Sequence, residues 1–363
     1  MARHFCSGYC NAIGIKKKDG LSKPLQPTLA NIEQWLNTEF NDAGIAIAII
    51  SEQHTRFYLH GLADSQQNRA ISNKTLFEIG SITKPLVGLV TALAVNNQQL
   101  SISDSVASLL QGTHYQQHQY NVAELLTHTS GLPRLPPNLP LSDLTDPYAN
   151  YTHADLMLAM QTVQPGEKQF EYSNLGFGLL AEIVSQQQGS SFSTLLKQQI
   201  FQPLGMADSN VAMTNGRYPD LAKGYQIDGS TTANWHFQAL AGAGAVLSTI
   251  DDMALLVQHY LQATAIGDTG SATVAGLADA MRLSVTTLIS EPAVGFGWML
   301  HPDGAVWHNG QTAGFNAFVG FAPAEQVGVV LLSNSTIPVT PAGMALLQQL
   351  RQKDETNMAE KNY

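Results

Sequence analysis

The chain has 363 residues, long enough to bury a large core and, on length alone, to form about two domains. Hydrophobic residues make up 44% and mean hydropathy is -0.04, which excludes a disordered or membrane-embedded chain, and no run of about 18 apolar residues occurs. Charged residues are only 13%, and the net charge of -10, with no basic stripe, argues against nucleic acid as a partner.

Residues 1–27 read as a loose arm ending in Pro24 and Pro27, with Lys16 to Lys18 a solvated patch. The arm carries both cysteines, Cys6 and Cys10. Two cysteines cannot make a disulfide framework, and with His4 they lack a fourth metal ligand. No signal-peptide core is visible at this start, so the expectation is a cytoplasmic protein, with a periplasmic one left open by a different start. Thr28 is placed to cap a helix presenting Leu29, Ile32, Trp35 and Leu36 on one face. Ile45, Ile47 and Ile49 alternate with Ala46 and Ala48, and Arg56 to His60 follow after a short polar turn, which predicts a β-hairpin with one face packed.

The stretch FEIGSITKPLVGL, Phe77 to Leu89, sets Ser81 and Lys84 one helical turn apart at a helix start, with Pro85 tolerated near the first turn. A serine is a weak nucleophile until a neighbour takes its proton, and a lysine whose charged form is disfavoured by burial can do so. One S-x-x-K is expected by chance in such a chain, so the remaining motifs must decide. For about 200 residues thereafter helical or irregular segments dominate, with Pro and Gly at their joints: LSISDSVASLL, AELLTHTSGLPRLPPNLP, His153 to Met160, Asn174 to Ser185 and Phe192 to Ile200. Strand patterns return at Val294 to Leu300, Ala305 to His308, Ala317 to Phe321 and Val327 to Leu332. A helix from Pro341 to Leu350 and a polar tail close the chain. The expected architecture is α/β (α+β): one antiparallel sheet built from both chain ends (28–75 and 290–353), a mainly helical domain (76–289) inserted between them, and a tail (354–363). A cleft between the two lobes is where a site is expected.

Two further clusters carry chemistry. In PGEKQFEYSNLGFGLLAEI, around Gly166 to Glu182, Tyr172 and Asn174 stand directly before an apolar helix. A tyrosine near a lysine can relay protons, and an amide can hold a substrate carbonyl. Tyr9-Cys10-Asn11 and Tyr148-Ala149-Asn150 match the same spacing but lack that context. In VWHNGQTAGFNAF, Val306 to Phe318, Gly310 and Gly314 permit close approach of a ligand, and the Gln311 N–H could form half an oxyanion hole with that of Ser81. His128 reads as a helix-end hydrogen-bonder, and Trp307 and Phe315 as core. Asp251 and Asp252 read as capping residues of a helix start, so no acidic motif stands out as a base for deacylation.

The order S-x-x-K, Y-x-N, H-x-G closely resembles the serine β-lactamase and penicillin-binding-protein superfamily, on the branch of class C β-lactamases, D-Ala-D-Ala carboxypeptidases and related esterases; a sister motif set marks class A enzymes. LLTHTSGLP (Leu125 to Pro133), PLGMADS (Pro203 to Ser209), GAGAVLSTIDDMALLVQHYL (Gly242 to Leu261) and GFNAFVGFAP (Gly314 to Pro323) are similar to that branch as well. The resemblance spans residues 30–335 and implies the β-lactamase/transpeptidase-like fold. It implies Ser81 as acylated nucleophile, Lys84 as base, Tyr172 as proton relay and Asn174 as substrate-orienting amide. His308 stands where a lysine is common; being only partly charged near neutral pH, it implies weaker selection for carboxylates. The implied activity is a serine hydrolase on small esters or amides, with a D-Ala-type peptidase second, a true β-lactamase third, and a non-catalytic binding protein as the reading from another class. The expected partner is a small ester, amide or β-lactam, with no metal or cofactor.

Overall fold

The structure, a computed structural model, describes residues 27–361 apart from 41–42, 52–53, 111–114, 141–144, 214–215 and 266–275, with side chains described as far as residue 352. His4, Cys6, Cys10 and the basic triplet lie outside the described residues.

The hairpin forms as expected, Ile45–Ile50 pairing with Thr55–His60. Its inner strand also pairs antiparallel with Val327–Ser333, from Ile45 opposite Ser333 to Ile50 opposite Gly328, and this seam joins the two ends of the chain. The full antiparallel sheet has eight strands, in the order Ile289–Ser290, Ala293–Val294, Met299–Leu300, Val306–Gln311, Asn316–Ala322, Val327–Ser333, Ile45–Ile50, Thr55–His60.

Both faces of the central strands are covered, not one, which explains why Val327–Ser333 is apolar almost throughout instead of alternating. On the outer face Ile45, Ile47, Val329 and Leu331 pack with Trp35 and Leu36 of the helix Ile32–Glu39 and with Leu346 and Leu347 of the helix Thr340–Lys361. On the inner face Ala46, Ala48, Val330 and Leu332 meet Met253, Leu256, Val257 and Tyr260 of the helix Ile250–Thr264. That inner core continues without a break into the helical part. The helix Thr83–Asn96 is buried on nearly every side there, so its apolar residues show little amphipathic period.

Several elements differ from the sequence-based expectation. The helix expected from Thr28 begins instead at Ile32, with Asn31 at its N-terminal boundary. The segment LSISDSVASLL holds only a four-residue helix, Val106–Leu109, capped by Ser105. The Val294 to Leu300 strand is broken where Gly295 N–H donates to the Trp298 carbonyl (3.0 Å), leaving two short strands joined by a turn. The last helix runs on to Lys361, through the stretch read as a tail. A three-stranded sheet of Phe77–Glu78, Val246–Ser248 and Asn210–Val211 lies in the otherwise helical middle. Strands of two or three residues have no detectable period, yet this one delivers the chain into the Ser81 turn.

Leu331 is fully buried between the seam and the outer helices. Leu331→Ala should lower the unfolding free energy by about 2–5 kcal/mol in denaturant titrations, and a loss well under 1 kcal/mol would mean that the outer layer is not packed as described.

Candidate active site

Ser81 sits in a single turn, Gly80–Ile82, at the head of the helix Thr83–Asn96. The turn is held from behind: Ile79 N–H donates to the Val246 carbonyl (3.1 Å), and Val246 N–H donates to Thr83 Oγ1 (3.0 Å). Lys84 is 0% exposed, and its Nζ lies 3.0 Å from Ser81 Oγ and 2.7 Å from the Ala243 carbonyl oxygen. Burial, and secondarily the Arg134 guanidinium, hold its pKa well below that of an ordinary lysine. Among the described residues no carboxylate offsets that effect. A neutral amine can donate to Ala243 and still take the serine proton.

Two glycines let the strand Val306–Gln311 reach this turn. Gly80 has φ +51°, and a Cβ there would lie 2.8 Å from the Gln311 amide nitrogen. A Cβ on Gly310 would lie 1.9 Å from the Ile79 carbonyl oxygen and 3.1 Å from the Ser81 nitrogen. The backbones of Ser81 and Gln311 therefore approach each other closely.

Tyr172 closes a third side. Lys84 Nζ lies 4.7 Å from the centre of its ring, the His128 ring stacks behind it at 4.4 Å, and the His308 ring stands 6.5 Å away. The following residue, Ser173, caps the helix Asn174–Gln187, its Oγ accepting from Gly176 N–H. Asn174, first in that helix, donates through Nδ2 to Tyr148 Oη at 3.4 Å, while its buried Oδ1 has no partner among the described residues.

His308 is 2% exposed, and burial first, then the nearby Lys84 amine, bring its pKa down to about 3. It is thus neutral near pH 7 and not partly charged. Its Nδ1–H donates to the Asn309 carbonyl (2.6 Å), since a carbonyl can only accept, and Nε2 is left as an acceptor.

The match to known families follows this geometry. A family model described as "Beta-lactamase" matches residues 34–352. The chain belongs to the beta-lactamase family. A beta-lactamase of Pseudomonas fluorescens is 26% identical over 328 residues, covering 82% of this chain and 89% of that protein. A beta-lactamase of Escherichia coli (strain K12) is 25% identical over 333 residues, covering 81% and 85%. The unguisins hydrolase ungD' of Aspergillus campestris (strain IBT 28561) is 24% identical over 360 residues, covering 93% and 67%.

The site of this beta-lactamase family member also contains groups that the motif reading left out or under-weighted. His128, taken for a helix-end hydrogen-bonder, does end a helix, at φ +60°, but its Nδ1 accepts from Ser173 N–H (3.0 Å) and its ring forms the wall behind Tyr172. Arg134 places its guanidinium carbon 5.3 Å from the Tyr172 ring centre at the exposed rim. Tyr148, whose Y-x-N match was set aside, stacks on Phe237 at 5.0 Å and receives the Asn174 amide. Ala243 offers a backbone carbonyl, which leaves no mark in a residue pattern. Asp251 and Asp252 lie in the first turn of the helix Ile250–Thr264, as expected, with Asp252 accepting from Ser209 Oγ (2.7 Å).

The neutral His308 has a measurable consequence. The unfolded chain binds a proton on this residue below about pH 6.5, whereas the folded protein does not until about pH 3, so its contribution to stability is full above pH 6.5 and drains as pH falls. At about 1.36 kcal/mol per pH unit, wild type should lose about 3 kcal/mol more unfolding free energy between pH 7 and pH 4 than His308→Asn does. Equal pH dependence of the two proteins in denaturant titrations would show that His308 is not held neutral.

Proposed function

We propose that the protein is a serine hydrolase working through an acyl-enzyme on Ser81, with small esters or amides as its first substrate class. The observation that carries this reading is the buried Lys84 amine 3.0 Å from the serine oxygen, its pKa held well below the usual lysine value by burial, an arrangement suited to drawing off one proton. In the proposed reaction Ser81 Oγ attacks the substrate carbonyl carbon as its proton passes to Lys84 Nζ. The tetrahedral oxyanion is met by the N–H groups of Ser81 and Gln311. The leaving group departs with a proton relayed through Tyr172, beside which the Lys84 amine lies. Water then attacks the acyl carbon, gives up a proton to the same Lys84–Tyr172 pair, and Ser81 leaves with its hydrogen restored. Asn174 and His308 would orient the substrate.

The neutral His308 supports placing esters and amides ahead of penicillins, because a cation fixed at that position would favour a carboxylate and an imidazole of pKa about 3 does not supply one. β-Lactam hydrolysis, carried by the names of the bacterial relatives, is the second reading, and a D-Ala-type peptide substrate is the third. A screen of p-nitrophenyl esters, nitrocefin and a D-Ala-D-Ala peptide separates them. A binding protein on the same fold would turn over none of these and would resist a fluorophosphonate.

Ser81→Ala should abolish fluorophosphonate labelling and lower turnover by about 10³-fold or more while the protein stays folded. An acyl-enzyme mass retained in that variant would refute the assignment. Tyr172→Phe should slow both acylation and deacylation, so that intact-protein mass spectrometry during turnover of a good ester shows acyl-Ser81 accumulating. Deacylation at the wild-type rate in Tyr172→Phe would assign the activation of water to another group.

A further inference from the structure

One carboxyl beside Ser81 has no part in the proposed reaction. Glu78 ends the strand Phe77–Glu78 three residues before the serine and is 3% exposed. Its Oε1 accepts two hydrogen bonds from one segment, from Trp235 N–H and from Asn234 Nδ2, each 2.9 Å long. The hydroxyl of Thr312, the residue after Gln311, lies beside the carboxyl and favours its charged form. Glu78 Oε2 and Thr312 Oγ1 nonetheless complete no hydrogen bond of ordinary geometry among the described residues. One side chain thus touches three walls of the site: the turn with Ser81, the segment at Asn234 and Trp235, and the end of the strand whose backbone meets Ser81. From Trp235 the contacts continue, since its indole packs edge-on against Tyr148 at 5.2 Å and Tyr148 Oη receives the Asn174 amide.

A glutamine at this position could accept the same two N–H groups and donate to Thr312 with no charge to desolvate. Space filling and hydrogen-bond satisfaction therefore do not account for a buried carboxyl here. What an ionised carboxylate adds is the strength of charge-assisted bonds to the two donors.

We propose that Glu78 is a positioning residue for acyl transfer: its carboxylate holds the Asn234–Trp235 segment, and through Trp235 and Tyr148 the Asn174 amide, in register with Ser81. This rests on Ser81 being the nucleophile. Burial pushes the Glu78 pKa up to about 7; Thr312, Asn234 and the Trp235 N–H oppose that shift, and Asp146 adds to it. Asp146 is the charged group facing Glu78, and it holds His236 of the same segment through Nδ1 (2.7 Å) and the backbone N–H (2.9 Å). Below about pH 7 Glu78 takes up a proton and its hold on the segment weakens. The fold itself responds in the opposite sense. Its raised pKa makes the folded chain bind this proton before the unfolded chain does, so the Glu78 contribution to stability improves as pH falls from about 7 toward the ordinary carboxylate range. A merely structural carboxyl would share that stability trend and leave substrate affinity untouched.

The test uses the full chain, with kcat and KM on p-nitrophenyl butyrate and kinact and KI for a fluorophosphonate, from pH 5.5 to 8.5. Wild type should show KM and KI rising below about pH 7 with kcat and kinact less affected. Glu78→Gln should raise KM at pH 8 by about 3- to 10-fold and lose that inflection. Asn234→Ala removes one donor to the carboxylate and should move the inflection to higher pH, a shift that loss of packing does not produce. If Glu78→Gln fails to fold, Asn234→Ala decides alone. Wild-type KM and pH profile in Glu78→Gln, or an unmoved inflection in Asn234→Ala, would overturn the proposal while labelled Ser81 stands. An unlabelled wild type would remove the reading of Ser81 and this proposal with it.

Discussion

The burial of one amine organises this protein. Lys84 is enclosed with no carboxylate partner among the described residues, and a full charge there would have to be desolvated with little in return. Burial disfavours the charged form of the amine, and its Nζ meets two oxygens, one on Ser81 and one on Ala243. Enclosing it takes a helix buried on nearly all sides, the Tyr172 and Phe177 rings at 4.7 and 5.8 Å, and the segment carrying Ala243. The inserted helical part serves this purpose, while the sheet contributes the strand Val306–Gln311 that meets the serine turn.

The second constraint is steric. The strand Val306–Gln311 and the turn Gly80–Ile82 approach until no Cβ fits between them at Gly80 or Gly310. Backbone groups so placed are part of two regular elements and have little freedom to relax. A site framed this way is ordered before substrate arrives, and reorganisation at the moment of reaction is correspondingly small. Behind Tyr172, the tilted His128 ring and the bond from Ser173 N–H to its Nδ1 extend the same order to the Y-x-N motif.

Charge inside the cleft is sparse. Lys84, His128 and His308 are all shifted toward their neutral forms by burial, and Glu78 is shifted toward protonation. The permanent cation Arg134 stands at the exposed rim.

The sequence by itself determined the elements whose information is local: the Ile45–His60 hairpin, the long helices after Ser81 and Asn174, and the S-x-x-K, Y-x-N and H-x-G residues with their order. Periodicity and one-turn spacing are properties of a few neighbouring residues, so they survive in a single chain read without a structure. The two-residue strand that leads into Ser81 was decided by its pairing with Val246–Ser248, a long-range partner that no window of residues contains. The same holds for the site. Ala243 acts through a carbonyl, Tyr148 and His128 through packing, and the states of Lys84, His308 and Glu78 through burial. Protonation depends on how much water and which charges surround a group, and only the folded chain sets those, because the segments that enclose each group come from distant parts of the sequence.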